Sequence, residues 1–461
     1  MRHSSNNISI DWTLIGIYLL LVSLGLSNIY SSVYNPEHPS LFDLSTEYGK
    51  QTMWIGISIF LGLVILLLDA SFIIKNAYVV YVVTMLLLLF VLFTKPVNGA
   101  RSWFGFGSVG IQPSEFAKIG VSLALARYLS MTSLLKKKRA QSKYNISVTG
   151  VIGNFSNFLK LYSKILLIIG IPSILVLLQP DAGTFIVFTS FLLVLYREGY
   201  AGNIILFGIV AVIIAIITLV NADNSFFLPF TKIKLSGKFG IFIFILIFGG
   251  ISALLIKKMV LKRNRKVLYK ALIGSLIVSI IFINFVEVGY SKILQKHQKE
   301  RIDLVLGKID DPDGKGYNIN RAKAAIGSGG FSGVGYKQAK LANSHQKHVP
   351  MQSTDFIFCT WSEERGFIGS AGLVVLFLIL LIKIINIAER QRSAFTRTYA
   401  YAIAGIIFYH FMINIGMAIG LAPVIGIPLP FFSYGGSSMM SFTIMLFILI
   451  KLDAENKNML S

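Results

Sequence analysis

The residues best placed to do chemistry are few, and most sit where long apolar runs begin or end. Asp355, in Val349-Pro350-Met351-Gln352-Ser353-Thr354-Asp355-Phe356-Ile357-Phe358, stands immediately before an apolar stretch. A carboxylate at such a boundary is partly desolvated, and desolvation makes a carboxylate a better proton acceptor near neutral pH. The same position suits a helix N-cap, with Thr354 or Asp355 accepting the first free N–H groups. Position alone leaves both readings open. Glu115 and Lys118, spaced i, i+3 after Gln112-Pro113-Ser114, share one helix face. Ionisable groups at membrane depth are costly unless paired, so both are expected to face a bundle interior, as a mutual salt bridge before any direct chemistry. Ser114 is expected at the N-cap of their helix, with Pro113 just before it.

Just upstream, in Asn98-Gly99-Ala100-Arg101-Ser102-Trp103, Arg101 could hold a phosphate. Trp103 could lie under a sugar ring, although membrane-interface anchoring is the commoner fate of such a side chain. The densest signal is Gly327-Ser328-Gly329-Gly330-Phe331-Ser332-Gly333-Val334-Gly335, followed by Glu363-Glu364-Arg365-Gly366. Glycines permit positive φ and close backbone approach, so this loop either wraps a ligand or packs flat on helix ends. No βαβ unit surrounds it, which excludes a dinucleotide fold. Cations including Lys323, Lys337 and Lys340 make the region around it basic, as a site for an anionic substrate or as a solvated, lipid-attracted face. Pro428-Leu429-Pro430-Phe431-Phe432-Ser433-Tyr434-Gly435-Gly436 reads as an extended entry into the last apolar run.

The elements that must position these residues are transmembrane helices. Of 461 residues, 54% are hydrophobic and 14% charged, which excludes an ordinary soluble fold. About 20 apolar residues cross a hydrocarbon core as a helix, and runs of that order recur throughout. Twelve spans are expected, near 12–33, 53–70, 77–94, 114–129, 164–178, 183–197, 203–221, 237–256, 267–287, 366–388, 399–420 and 433–451. The fifth and sixth are short and separated by Gln179-Pro180-Asp181, which suits a bent pair. The net charge of +22 would suggest nucleic acid in a soluble protein. Here the cations crowd into the links 130–163, 257–266 and 389–398, where they orient the chain and meet anionic lipid, so no nucleic-acid partner is expected. With twelve spans those links share one side, which the positive-inside rule makes cytoplasmic together with both termini. The segments 34–52, 95–113, 288–365 and 421–432 then lie outside, and 288–365 is the largest. The expected organisation is one transmembrane domain over 1–461, with a basic cytoplasmic loop at 130–163. Cys359 is the single cysteine, so neither a disulfide nor a cysteine metal site is expected. The run from Trp12 to Ser32 is too long for a signal h-region and lacks an Ala-x-Ala site, so it reads as a retained anchor.

Together these strings resemble the SEDS family, named for shape, elongation, division and sporulation. The stretches that carry the resemblance are NGARSWFGFGSVGIQPSEFAK at 98–118, LQPDAGT at 178–184, DPDGKGYNINRAKAAIGSGGFSGVGY at 311–336, VPMQSTDFIF at 349–358 with EERGFIG at 363–369, and NIGMAIGLAPVIGIPLPFFSYGGSS at 414–438. They occur in the family's order. The last is more similar to the rod-shape branch than to the division branch. The resemblance implies an all-α bundle with a ten-helix core, and a processive glycosyltransferase in the bacterial cytoplasmic (inner) membrane. That enzyme would polymerise lipid II at the outer face during elongation and release undecaprenyl pyrophosphate. It places the family aspartate on Asp355, the family Glu and Lys on Glu115 and Lys118, and the loop Trp and Arg on Trp103 and Arg101. Arg101, Lys118, Lys323 and Lys337 are candidates to stabilise the departing pyrophosphate. It further implies a class B penicillin-binding protein transpeptidase and other elongation-complex membrane proteins as partners. No cofactor is implied, and a divalent cation is left open.

The chain departs from the family pattern in three places. Between Ile205 and Gln295 there are three spans where one is expected, which makes 237–287 an inserted transmembrane hairpin. Met351 and Ser353 replace the Glu and His that often precede the family's Thr-Asp. Phe104 to Ser108 is an unusually aromatic, glycine-rich version of its loop. Two alternatives from other classes stand beside the polymerase: a flippase for the lipid-linked precursor, and a non-catalytic scaffold. A transport gate would bring its charged groups toward the midplane, whereas a base for outer-leaflet chemistry would open into an external cleft.

Overall fold

The computed structural model describes residues 10–34, 37–96, 100–106, 109–140, 155–199, 210–211, 214–220, 225–227, 234–259, 262–293, 299, 303, 317–342 and 351–458. In chain order the elements are α1 (Trp12–Ser32), α2 (Glu47–Leu67), α3 (Ala70–Lys75), α4 (Ala77–Val91), β1 (Phe104–Phe106), β2 (Val109–Ile111), α5 (Pro113–Ala140), α6 (Phe155–Leu178), α7 (Ala182–Phe188) and α8 (Phe191–Arg197). There follow β3 (Ser225–Phe227), β4 (Lys234–Ser236), α9 (Gly237–Met259), α10 (Lys262–Val288), α11 (Tyr317–Ser328), α12 (Ile357–Arg390), α13 (Ala394–Ala418) and α14 (Gly436–Asn458).

This is an all-helical membrane fold with two small antiparallel hairpins, β1–β2 and β3–β4. Each expected span coincides with a described helix except 203–221, which falls largely outside the described residues. Among the described residues, seven helices are long and apolar enough to cross a bilayer, and α4, Ser163–Leu178 and Ala182–Arg197 are shorter apolar helices. The start of α5 is less apolar because Glu115, Lys118 and Arg127 lie within it. The bend expected around Pro180 is present, and α7 ends again at Thr189 before α8 begins. The glycine-rich aromatic stretch after Trp103 forms β1–β2, with Phe104 opposite Ile111 and Phe106 opposite Val109. Helix α5 starts at Pro113, one residue before the expected start. Proline suits the first helical position because the N–H it lacks would have no helical partner.

By its internal contacts the chain packs as two compact units, one of 1–145, 155–198 and 317–461, the other of 146–154 and 199–316. In the first, α14 is buried along nearly its whole length and α13 along most of it. Helix α14 packs on α2 and α5, and α13 on α5, α8 and α12. Several buried hydroxyls inside this bundle find protein partners, which lipid cannot supply. Tyr18 Oη and Thr443 Oγ1 share a bond of 3.1 Å, and Tyr399 Oη donates to Met445 O at 3.3 Å.

One end of this unit is closed by ion pairs. Arg390 pairs with Asp453 and, at 3.2 Å, with Asp11, the residue that caps α1. Gln391 Nε2 donates to Asp453 at 2.6 Å. Arg397 donates twice to Glu198, each bond 2.8 Å, and Arg197 pairs with Glu389. The start of α1 and the end of α14 therefore meet on the face that carries the basic link 389–398.

In the second unit α9 and α10 lie side by side, with Tyr269 Oη donating to Ala253 O at 3.3 Å. Their outward side chains are large and apolar: Phe244 is 66% exposed, Phe248 63%, Val278 66% and Ile281 62%. Such a surface is stable against hydrocarbon.

Replacing Arg390 by Ala takes the shared guanidinium from two buried carboxylates, Asp11 and Asp453. The expected loss is about 3 kcal/mol of stability, read from chemical unfolding in micelles.

Candidate active site

The two glycine motifs form one device. Helix α12 is broken at Gly366, whose φ of 62° and ψ of −160° are non-helical. The break frees backbone groups that must find other partners. The glycine-rich segment supplies them. Val334 N donates to Glu363 O and Gly335 N to Glu364 O, each at 3.0 Å, while Phe367 N donates to Gly330 O at 2.9 Å and Ile368 N to Phe331 O at 3.2 Å. A Cβ on Gly366 would run into Gly333 N, and one on Gly333, whose φ is 83°, into Glu364 O. The loop packs closely on a helix end, one of the two readings left open for it. The two glutamates of the second motif bind the backbone that follows. Glu363, buried at 1% exposure, accepts from Lys340 N at 2.8 Å, Leu341 N at 2.9 Å and Ala342 N at 2.7 Å. Glu364 accepts from Lys337 N at 2.9 Å and from the Ser31 hydroxyl.

The first segment of α12 begins one residue after Phe356, which occupies the N-cap position. Neither Thr354 nor Asp355 therefore takes the capping place. Asp355 is half-buried. Its turn is stitched down by three other segments. Asn414 Nδ2 donates to Asp355 O at 2.9 Å and to Ile427 O at 2.7 Å. Ser433 Oγ donates to Thr354 O at 2.6 Å, and Tyr434 N to Ser353 O at 2.9 Å. On the α1 side, Gln352 Nε2 donates to Ser32 O and Asn28 Nδ2 to Ile357 O, each at 3.0 Å. The carboxylate faces Gly426: a Cβ built there would lie 3.3 Å from Asp355 Oδ2. Gly426 also has a φ of 69°, so glycine serves both the turn and the approach.

Glu115 and Lys118 form the expected buried pair, Nζ to Oε2 at 2.8 Å, with exposures of 3% and 0%. Lys118 Nζ also meets His410 Nε2 at 2.9 Å and lies 4.8 Å from the centre of the Phe442 ring. Ser441 Oγ donates to Glu115 Oε2 at 3.2 Å. The pair is thus enclosed by α13 and α14. Nearby, Asp181 caps α7 through Thr184 N at 3.0 Å and accepts from Thr184 Oγ1 at 2.8 Å, Gln112 Nε2 at 3.1 Å and Ser114 Oγ at 3.2 Å. Ser114, expected as an N-cap, instead spends its hydroxyl on this carboxylate. Asp181 joins the motifs at 112–118 and 178–184.

The other candidates are placed separately. Exposed Arg101 donates from Nη1 to Leu92 O at 3.3 Å, at the C-terminal end of α4, where a cation suits the helix dipole. Trp103, 37% exposed, covers Gly110 of the β1–β2 hairpin. Lys323 of α11 lies across Gly420, just past the end of α13. Lys337 sets its ammonium 3.8 Å from the Tyr34 ring centre and 4.4 Å from that of Tyr30, a cation–π arrangement. Among the described residues no three His, Cys, Asp or Glu side chains converge as a metal site.

His410 was not among the sequence candidates, and Asn414 entered only as part of a motif. A lone His or Asn in an apolar run is commonly a satisfied core residue. Their i, i+4 spacing on one helix was the signal available.

The profile of the FtsW, RodA and SpoVE proteins, described as cell cycle proteins, matches residues 11–231 and 236–458. The chain belongs to this family. Among FtsW/RodA/SpoVE relatives, a peptidoglycan glycosyltransferase RodA of Treponema pallidum is 32% identical, with 96% of this chain and 98% of the relative aligned. Peptidoglycan glycosyltransferase MrdB of Escherichia coli K12 is 29% identical over 74% of this chain and 68% of its own. The fold is shared with a solved chain from a study of how a peptidoglycan synthase complex coordinates polymerization and crosslinking, at a TM-score of 0.64 and 24% identity, covering 97% of this chain and 98% of that one. It is shared also with the rod shape determining protein RodA of Thermus thermophilus, at a TM-score of 0.53 and 21% identity, covering 98% and 99%.

Replacing Glu363 by Ala leaves three buried backbone donors without their acceptor, and stability is expected to fall by about 3 kcal/mol. Gly366→Ala should prevent folded protein from accumulating. Detergent-solubilised yield and thermal midpoint read both outcomes.

Proposed function

We propose that this chain is a peptidoglycan glycosyltransferase that polymerises lipid II at the outer face of the bacterial inner membrane, with Asp355 as general base. The observation that carries the reading is the treatment of Asp355. A half-buried carboxylate stands just outside a helix start, its main chain held by Asn414 and Ser433, at the end of the bundle opposite the Asp11, Arg390 and Asp453 cluster. Rigid backbone with a partly open carboxylate is what proton abstraction requires.

In the reaction, the 4-hydroxyl of the acceptor sugar attacks the anomeric carbon of the donor, with inversion. A C–O bond forms as the bond to pyrophosphate breaks, the hydroxyl proton passes to Asp355, and undecaprenyl pyrophosphate departs. An activated donor carries its own leaving group, so a second carboxylate acting as general acid is not needed. Charge on the leaving group falls to cations at the same end, for which Arg101, Lys323 and Lys337 are the accessible candidates. Lys118 is fully enclosed by Glu115, His410 and Phe442, and its part is to order the floor of the site. A class B penicillin-binding protein transpeptidase, together with elongation-complex membrane proteins, would take the product strand onward. This agrees with the peptidoglycan synthase complex among the structural neighbours.

Asp355→Ala is expected to lower polymer yield from purified lipid II by about 100-fold or more, with insertion and thermal midpoint unchanged. Wild-type-like polymer from that variant would remove the base, and translocation of a lipid-linked precursor across sealed vesicles that survives the change would favour a flippase. Gly426→Ala, which crowds the carboxylate, should cost about tenfold in rate.

A further inference from the structure

His410 is a buried titratable side chain to which the mechanism above gives no part. It is 2% exposed and lies in α13, one helical turn before Asn414. Its two ring nitrogens have different duties. Nε2 is 2.9 Å from Lys118 Nζ, which lies 2.8 Å from Glu115 Oε2 and, as the ammonium of that ion pair, can only donate. Nδ1 is 3.0 Å from Pro428 O, a group that can only accept. The partners therefore fix the neutral tautomer with the proton on Nδ1. The Phe442 ring, edge-on at 4.9 Å and 90°, fills the space beside the imidazole.

The bond to Pro428 O lies next to the bond that Asn414 makes to Ile427 O, and the same Asn414 amide holds Asp355 O. Two successive turns of α13 thus grip successive residues of the 427–428 segment. From that grip one side chain reaches Lys118 and the other reaches the backbone of Asp355. Gly426, which faces the Asp355 carboxylate, directly precedes this segment.

We propose that His410 is a positioning residue that registers the buried Glu115–Lys118 pair against the segment facing Asp355, so that the distance between floor and base is fixed through α13. This rests on the polymerase reading. It adds that the buried ion pair acts on turnover through the histidine, and that the required property is one acceptor and one donor back to back. A glutamine amide has the same two faces, whereas leucine has neither.

The test is steady-state polymerisation of lipid II by the full chain in micelles, per folded enzyme, for wild type, His410→Leu, His410→Gln and Asp355→Ala. Leu is expected to lower kcat at least about tenfold while KM stays within about twofold, because misplacement near the reacting groups is felt in the transition state. Gln is expected to recover most of that loss and to keep the wild-type pH profile. A kcat unchanged in both variants overturns the proposal, and so does equal impairment of Gln and Leu in protein of wild-type thermal midpoint. If Leu does not fold, Gln decides alone: a kcat reduced as far as about tenfold, or a pH profile displaced from wild type, overturns the role. A wild-type chain that makes no polymer would instead strike the function proposed above. An inactive Asp355→Ala beside a fully active His410→Leu would strike this inference alone.

Discussion

A helix that breaks inside or at the edge of a bilayer must have its freed N–H and C=O groups met by protein, because lipid offers none. In this chain that constraint falls on Gly366. The glycine-rich segment from Gly329 to Gly335 runs beside the break and supplies both donors and acceptors to it. The first part of α12 can then take a direction independent of the long remainder that spans the membrane. Glu363 and Glu364, on that first part, collect the backbone N–H groups of the segment leading away. Carboxylates are apt for this duty, since each accepts several charge-assisted bonds at once. Glycine at the break and acids just before it are one solution to one problem.

The second consequence of a short, independently aimed helix start is a turn that can be held from several sides. Residues 352 to 357 are bonded to α1 through Ser32 and Asn28, to α13 through Asn414, and to the segment before α14 through Ser433 and Tyr434. These bonds involve main-chain atoms of the turn, apart from the Gln352 amide, so the backbone that carries Asp355 is fixed from three sides. A restrained backbone lowers the reorganisation that the proposed proton transfer would need.

Much of this was legible in the residue order. The spans were visible as apolar runs, and the i, i+3 spacing of Glu115 and Lys118 was enough to anticipate a buried pair, found at 2.8 Å. The break at Gly366 was not legible as such. A glycine loop and a Glu-Glu-Arg-Gly string separated by about thirty residues carry no mark that one completes the other. Nor was the tie from Ser114 and Gln112 to Asp181, because the three residues lie at the starts of two helices whose approach is tertiary. His410 shows the limit most clearly: as one polar residue in an apolar helix, only the identities of Lys118 and Pro428 on its two sides reveal a neutral, two-faced ring.

The distribution of charge in the first unit bears on what kind of machine it is. At one end lie Asp11, Glu198, Arg390, Arg397 and Asp453, compensated by one another. At the other lie Asp181, Asp355 and the first turns of α5 with Glu115 and Lys118. Between these ends, among the described residues, buried hydroxyls include Thr443 paired with Tyr18 and Tyr399 donating to a main-chain carbonyl. Carrying a pyrophosphate across the bilayer would require charge compensation along the route, since desolvating such an anion midway is costly. A unit that concentrates ionisable groups at its two ends suits a reaction completed at one surface. That arrangement fits the proposed role of the carboxylate at 355 and leaves the far cluster the task of holding the helix ends together.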